Sequence, residues 1–110
     1  IRNSENIEIY NPNFLFNNCV HVDDICTLII LLIKKKLNIN DSIVLGAKKK
    51  MKIIDIINLI IKKTKSKSKI VIKNKSTNSF SLINNYAVKK YQYQPQSTKN
   101  VIVRFIMDNI

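Results

Sequence analysis

The sequence contains little glycine and little cysteine. Gly46 is the only glycine among 110 residues, and tryptophan is absent. A turn that binds a dinucleotide pyrophosphate needs glycines so that backbone N–H groups can approach the phosphates, and this chain has no such turn. Cys19 and Cys26 have no second pair, which excludes a four-cysteine zinc site and a disulfide framework. This cysteine usage is typical of a protein of the reducing cytoplasm.

Acidic residues and long apolar runs are also scarce. Seven acidic residues stand against 19 Lys and Arg, for a net charge of +12. Such a balance favours an anionic partner. However, Lys, Ile and Asn, all encoded by A/T-rich codons, supply 17, 21 and 15 of the residues, so the charge is weak support for a partner. The longest apolar run, 25–33, is far shorter than the ~20 residues of a membrane span, and we expect no membrane contact.

The patterns that are present alternate between strand and helix. Short apolar or alternating runs bounded by turn residues predict strands at 6–10, 19–22, 41–46 and 70–72. Helical spacing and capping residues predict helices at 25–33, 52–64, 85–90 and 101–107. The sequence therefore predicts an α/β fold forming one unit over residues 1–110, with three to four helices and short strands.

The first predicted helix is unusual because it is apolar all round. Asp23 and Asp24 are suited to cap its N-terminus, and 34–36 place three lysines at its C-terminus. A helix without a polar face is expected to be buried on every side. We therefore expect partner mass beyond what 110 residues supply.

Several motifs occur in an order that resembles a known family. Val20-His21-Val22-Asp23-Asp24-Ile25 is similar to the hydrophobic-His-Val-Asp-Asp-hydrophobic helix entry of the NAD(P)-dependent epimerase/dehydratase family, the extended short-chain dehydrogenase/reductases. Ile43-Val44-Leu45-Gly46 resembles that family's Tyr-Asn-Leu-Gly strand. The segment 83–95 resembles its late helix and the proline that follows it. The resemblance covers most of the chain.

The resemblance implies a Rossmann-type parent of which this chain is the C-terminal, substrate-binding part. Residues 41–46 would be a late strand of the nucleotide-binding sheet, and the rest would close over a nucleotide sugar. The missing N-terminal Rossmann portion would bind NAD or NADP and carry the catalytic residues, so we expect no catalytic residue and no cofactor on this chain. A cytoplasmic location and a homodimer are further expectations.

The resemblance also indicates candidate substrate-binding residues. Asn11 and Asn13 stand where the family has a Gly-x-Gly turn, and asparagine tolerates left-handed backbone. Asn17 stands where the family has a phosphate-binding arginine, and Lys73 or Lys75 would make a second basic contact. An amide cannot replace the bidentate grip of arginine, so a catalytically dead scaffold or dimer partner is an alternative.

Other residues have plainer interpretations. Tyr86 and Lys90 fit the family's catalytic Tyr-x-x-x-Lys spacing, but they lie in the late helix, so we reject a catalytic role. His21, the only histidine, has no companion metal ligands and is interpreted as a packed residue before a helix cap. A small basic nucleic-acid-binding module is a further alternative, motivated by the net charge and by Tyr86, Tyr91 and Tyr93.

Overall fold

The computed structural model describes residues 3–37, 40–73 and 78–109, which form a small mixed α/β domain. Its strands are β1 (Ile7–Ile9), β2 (Leu15–Phe16), β3 (Met51–Lys52) and β4 (Ile70–Ile72). Its helices are α1 (Val22–Lys34), α2 (Ile53–Thr64), α3 (Asn85–Tyr91) and α4 (Thr98–Asp108). Alternating strands and helices were expected, and the α/β class with four helices is confirmed.

The strands form two short pairs. β1 and β4 are parallel, with Ile7 opposite Ile70 and Ile9 opposite Ile72. β2 and β3 are antiparallel, with Leu15 opposite Lys52. The strands predicted at 6–10 and 70–72 are thus present. Those of β2 and β3 were missed, because two residues are too few to show a period-2 pattern.

Two predicted strands are wrong within the described ranges. Residues 19–21 are irregular and Val22 already belongs to α1, since His21 caps the helix and leaves no extended segment to pair. Residues 41–46 belong to no ladder. An apolar run becomes a strand only when a neighbouring strand accepts its backbone hydrogen bonds, and the described residues place none beside this one.

Helix α2 is the amphipathic helix predicted from the isoleucine spacing, and it packs against α4. Its N-cap, Lys52, makes no capping side-chain bond. The amides of Ile53 and Ile54 donate instead to the carbonyls of Phe14 and Pro12. Main-chain carbonyls of the preceding loop therefore satisfy donors that a serine or threonine cap would otherwise serve.

The core lies between α1, α3 and the segment 41–47. Leu28, Ala87, Tyr91 and Tyr93 are buried together, and the partly buried Leu32, Ile43 and Leu45 pack against them. Leu28 is the one fully buried residue of α1. The expectation that α1 is buried on all sides is therefore wrong for the chain by itself, because the described elements cover one face only.

The turn after β1 also differs from expectation. Neither Asn11 nor Asn13 has a positive φ. The left-handed positions within the described ranges are Ser4, Lys36, Lys49, Lys65 and Gln92. Asn11 accepts a hydrogen bond from the amide of Phe14 through its carbonyl, so the chain turns without left-handed backbone at the two asparagines.

Candidate substrate-binding edge

The parallel pair β1/β4 brings two predicted substrate residues to one edge. Lys73 follows β4 directly, and its amide donates to the carbonyl of Ile9 at the end of β1. Asn11 lies two residues beyond β1, and its amide nitrogen donates to Ser79 Oγ over 2.9 Å. Ligands of parallel sheets bind outside the carboxyl ends of the strands, which is where Asn11 and Lys73 lie.

The Lys73 ammonium at this edge is only loosely paired. Its Nζ lies 3.6 Å from Glu8 Oε1, and the two side chains are 47% and 53% exposed. Tyr10 Oη also donates to Glu8, over 3.3 Å. Exposed ion pairs contribute little to stability, so Lys73 can exchange Glu8 for an anionic ligand at small cost. Lys75, the alternative basic contact, lies outside the described residues.

Asn17 lies away from this edge, in a buried junction. Its side chain is 3% exposed. Its amide nitrogen donates to the carbonyls of Ala47 (3.0 Å) and Leu82 (2.9 Å), and its oxygen accepts from the amide of Leu82 (2.8 Å). Both amide hydrogens and the carbonyl oxygen are thus used within the protein. A contact with substrate would require Asn17 to give up these bonds, and its binding role stays a prediction.

Gly46 completes the same junction. Its amide donates to Asn84 Oδ1 over 2.6 Å, and its carbonyl accepts from Tyr93 Oη over 2.9 Å. A Cβ atom at this position would lie 3.1 Å from the Asn17 carbonyl oxygen and from two side-chain atoms of Leu82. The glycine serves close packing and is not at a helix N-terminus. Gly46 therefore does not provide the glycine-rich turn at a helix start that a dinucleotide pyrophosphate needs.

The Tyr86–Lys90 pair belongs to a cluster around Asp41. Lys90 Nζ donates to Tyr86 Oη (2.8 Å), Tyr86 Oη donates to Asp41 Oδ2 (2.6 Å), and Tyr91 Oη donates to the same oxygen. Hydrogen bonds from Tyr86 and Tyr91 hold the pKa of Asp41 far below its usual range. Those from Lys90 to Tyr86 and Asp41 raise the pKa of Lys90. The cluster attaches segment 41–47 to α3, which is a structural role.

His21 is also fully engaged within the fold. Its Nδ1 accepts from the Asp23 amide over 3.2 Å, and its Nε2 lies 2.7 Å from Asp108 Oδ2. The hydrogen-bond network therefore assigns the neutral tautomer that donates from Nε2. Burial raises the pKa of the Cys19 thiol, two residues before His21. Thus His21 is a helix cap, which was the position predicted for Asp23 or Asp24.

Asp24 instead ties α1 to α4. Arg104 Nη1 donates to both oxygens of Asp24 over 2.8 Å, and this bond raises the pKa of Arg104. Asp23 is more exposed and lies 3.5 Å from Arg104 Nη2. Sequence spacing could not reveal this pair, since Asp24 and Arg104 are 80 residues apart.

Two cavities lie beside helix α1. One of about 580 Å³ is lined by Cys19, His21, Val22, Ile102 and Phe105 among others, and one of about 380 Å³ lies between α1 and residues 92–96. Neither is lined by Asn11 or Lys73. The candidate edge is therefore separate from both cavities. No group of His, Cys, Asp and Glu in the described ranges could hold a metal ion, and no helix there is long and apolar enough to cross a membrane.

Comparison with known proteins adds no relative: the chain matches no protein-family model and no curated protein.

Proposed function

We propose that this chain is the substrate-side part of an NAD(P)-dependent nucleotide-sugar epimerase, dehydratase or reductase. The proposal rests on one observation: Asn11 and Lys73 lie at the same edge, beyond the carboxyl ends of β1 and β4. The motif order from Ile9 to Pro95 supports it independently. Hydride transfer would belong to NAD or NADP bound by the nucleotide-binding portion of the parent protein, and catalytic residues are assigned to that portion.

The edge offers chemistry suited to a nucleotide sugar. Lys73 supplies a mobile positive charge for a diphosphate, although as a point charge and not as the bidentate fork of arginine. Asn11 and Ser79 supply an amide and a hydroxyl for sugar hydroxyl groups. Lys75 remains part of the proposal as a second cation. With a single described lysine at the edge, we expect weak binding that the rest of the parent protein strengthens.

The unpaired segment 41–47 supports the same proposal. It joins no strand ladder within the described ranges. Val44 is 50% exposed despite lying in an apolar run. A late strand of a nucleotide-binding sheet would have these properties when the neighbouring strands are supplied by the parent protein.

The test is a titration of the ¹⁵N-labelled chain with UDP-glucose, GDP-mannose and dTDP-glucose, followed by NMR. We expect chemical-shift changes at Asn11, Lys73 and Ser79, and a severalfold loss of affinity in Lys73→Ala. Lys67→Ala is the matched control, because it removes one exposed lysine elsewhere. Equal weakening by both variants, or no response to any of the three ligands, would contradict a site at this edge.

The parent protein provides a second, independent test. Expressed from the longer reading frame, it should bind NAD or NADP, measured by quenching of protein fluorescence or by calorimetry. A parent protein that binds neither dinucleotide under any condition contradicts the assignment to this enzyme class, whatever the chain does with nucleotide sugars.

The catalytically dead scaffold remains the second candidate, and Asn17 favours it. The position that would carry a phosphate-binding arginine is occupied by an amide whose hydrogen bonds are all internal. A parent protein that lacks the upstream Tyr-x-x-x-Lys pair and binds no nucleotide sugar would support the scaffold. The nucleic-acid alternative was motivated by three tyrosines. Tyr91 and Tyr93 are 2% and 4% exposed and cannot stack on bases, which leaves Tyr86, 49% exposed, as the accessible ring of the three.

A further inference from the structure

The smaller cavity, between α1 and residues 92–96, is lined by every glutamine of the sequence. The chain contains 15 asparagines but only three glutamines, Gln92, Gln94 and Gln96, and all three line this cavity of about 380 Å³. A volume of this size lies within the ~300–1,000 Å³ of small-molecule sites. We call it the glutamine cavity. Its opposite wall comes from α1 and consists of Asp24, Thr27, Leu28 and Leu31.

Both walls of the glutamine cavity are held in place by hydrogen bonds of the fold. Between the glutamines, Tyr93 Oη donates to the Gly46 carbonyl over 2.9 Å, and the Gln96 carbonyl accepts from the amide of Lys48 over 2.9 Å. On the other side, Asp24 attaches α1 to Arg104. The walls therefore keep their positions without a ligand, which lowers the entropic cost of binding one.

The glutamine side chains retain hydrogen-bonding groups that the described protein does not use. Lys35 Nζ donates to Gln92 Oε1 over 2.6 Å, so the side-chain N–H groups of Gln92 remain as donors. The side chains of Gln94 and Gln96 have no hydrogen-bond partner among the described residues, and Gln96 is half-buried. A half-buried amide has lost part of its contact with water, so a ligand that offers it a donor and an acceptor gains binding free energy.

The charge of the walls favours an uncharged ligand. Among the described residues that line the cavity, Asp24 alone is charged, and both of its oxygens accept from Arg104 Nη1 over 2.8 Å. This lining therefore includes no ammonium or guanidinium group that would pair with a phosphate. A cationic ligand would be repelled by the net charge of +12.

We infer that the glutamine cavity binds an uncharged ligand with several hydroxyl groups, of the size of a monosaccharide. Side-chain amides donate and accept hydrogen bonds, as hydroxyl groups do, and Thr27 adds a hydroxyl of its own. Leu28 and Leu31 provide an apolar surface for the C–H groups of a sugar ring. The inference is independent of the nucleotide-sugar function, because neither Asn11 nor Lys73 lines this cavity.

The small number of glutamines makes a direct test possible. In a chain labelled with ¹⁵N in glutamine side chains only, NMR shows the three amide groups by themselves. Titration with glucose, galactose, mannose and N-acetylglucosamine should shift the signals of Gln94 and Gln96. Cyclohexanol, a ring of similar size with one hydroxyl group, should shift them much less, since a site that binds hydroxyl groups rejects an analogue that lacks them. No response to any of the four sugars, or an equal response to cyclohexanol, overturns the inference.

Variants locate the binding site. Gln96→Ala should weaken binding of the responding sugar about fivefold, because one hydrogen bond is lost. Thr27→Trp, at an exposed position of α1, should abolish binding by filling the cavity. Asn58→Ala is the matched control, since it removes an exposed amide from α2. All three variants should keep the circular dichroism spectrum of the wild-type chain. Full affinity in both cavity variants, or equal weakening by Asn58→Ala, would place the sugar elsewhere and overturn the inference.

Two charged probes test the other classes of ligand. Glucose 1-phosphate should bind no more tightly than glucose, and putrescine should not shift the glutamine signals. Tighter binding of either probe than of glucose would identify a site for an anion or a cation and would overturn the inference. Lys73→Ala should leave the affinity for glucose unchanged, so the outcome at this cavity is read separately from that at the edge of β1 and β4.

Discussion

Hydrogen bonds of a few single residues connect three chain segments where these segments meet. Asn17 joins segment 41–47 to the segment around Leu82, and Gly46 allows those segments to approach one another. Asn84 and Tyr93 complete the junction by binding the amide and the carbonyl of Gly46. The buried polar groups are therefore satisfied by one another, which is the condition under which a polar core is stable.

We predict that Gly46→Ala destabilises the fold by about 1–3 kcal/mol, because the new methyl group would lie within 3.1 Å of the Asn17 carbonyl and Leu82. Urea unfolding followed by circular dichroism measures the effect. Ser42→Ala is the control, since Ser42 is exposed in the same segment. An equal and small effect of both variants would show that Leu82 moves aside freely.

Asn17→Ala should cost about 2–4 kcal/mol. It leaves the amide and the carbonyl of Leu82 without their partner at a buried site, and it removes one of the two side-chain bonds to the Ala47 carbonyl. Asn18→Ala is the matched control. It removes the single exposed bond from the Asn18 side chain to the Phe80 carbonyl and should cost much less. Comparable unfolding midpoints for the two variants would contradict the structural role of Asn17.

At the scale of elements, side-chain bonds attach one segment to another where backbone ladders are short. Asp41 attaches segment 41–47 to α3 through Tyr86 and Tyr91, and Arg104 attaches α4 to α1 through Asp24. The pKa of Tyr91 is raised because it donates to the Asp41 carboxylate. These attachments involve charged groups, so the stability of the arrangement depends on pH.

The pH dependence has a definite sign at Asp41. Its pKa in the fold is lowered, chiefly by Tyr86 and Tyr91, from the ~3.9 of an unfolded chain. Asp41 thus contributes stability that is present above about pH 4 and is lost as the pH falls further. We predict that Asp41→Asn lowers the melting temperature at neutral pH and flattens its fall towards pH 3. Asp55→Asn, at an exposed position of α2, should leave the acid profile unchanged. If the melting temperature of the Asp41→Asn variant fell towards pH 3 as steeply as that of the wild-type chain, this contribution of Asp41 would be contradicted.

Segment 41–47 should also be recognisable by hydrogen exchange. The amides of Ile43, Val44 and Leu45 have no hydrogen-bond acceptor within the described part of the chain, whereas those of Gly46 and Ala47 donate to Asn84 and Asn17. We predict fast exchange for the first three and slower exchange for the last two, measured by NMR. If the proposed function holds, strand neighbours from the proposed parent protein would accept these bonds and protect the first three amides. Slow exchange of Val44 in the chain alone would contradict an open strand position.

At the scale of the whole molecule, the chain exposes more surface than its size requires. Its accessible surface is 8069 Å², against about 6,300 Å² for a compact monomer of 12.8 kDa. Its radius of gyration is 16.5 Å, against about 13 Å for a compact domain of this length. The smallest extent is 19 Å, so few side chains can be covered from both sides. The excess surface includes exposed apolar side chains of α1 (Val22, Ile29, Ile30 and Ile33) together with Phe80 and Ile83.

We predict that the native chain binds the dye ANS at neutral pH without denaturant, because contiguous apolar surface remains exposed. Fluorescence of the dye should fall in Ile33→Lys, which removes the most exposed large apolar side chain of α1. Lys63→Ala, on α2, is the control and should leave the signal unchanged. A native chain that gives no more ANS fluorescence than a compact protein of equal size would contradict the open arrangement.

Local sequence pattern alone predicted the elements whose residues show a clear periodicity or cap within a short stretch of chain. The isoleucine spacing predicted α2, the alternation around Ile7–Ile9 predicted β1, and the polar residues before Tyr86 predicted the start of α3. The α4 helix was found but begins at Thr98, because Ser97 caps it through the Asn100 amide. Such signals depend on propensity and periodicity, which a sequence carries directly.

The tertiary structure decided everything that depends on distant partners. The sequence determined that Asn11 and Lys73 follow strands, whereas the parallel pairing of β1 with β4 placed them at one edge. His21 became the cap of α1, Asp24 became the partner of Arg104, and Asn17 became a buried junction. Residues 41–46 have the composition of a strand, but no described strand lies beside them to pair with. The physical reason is the same in each case: hydrogen bonds and burial need a second group, and its position is set by the fold and not by local sequence.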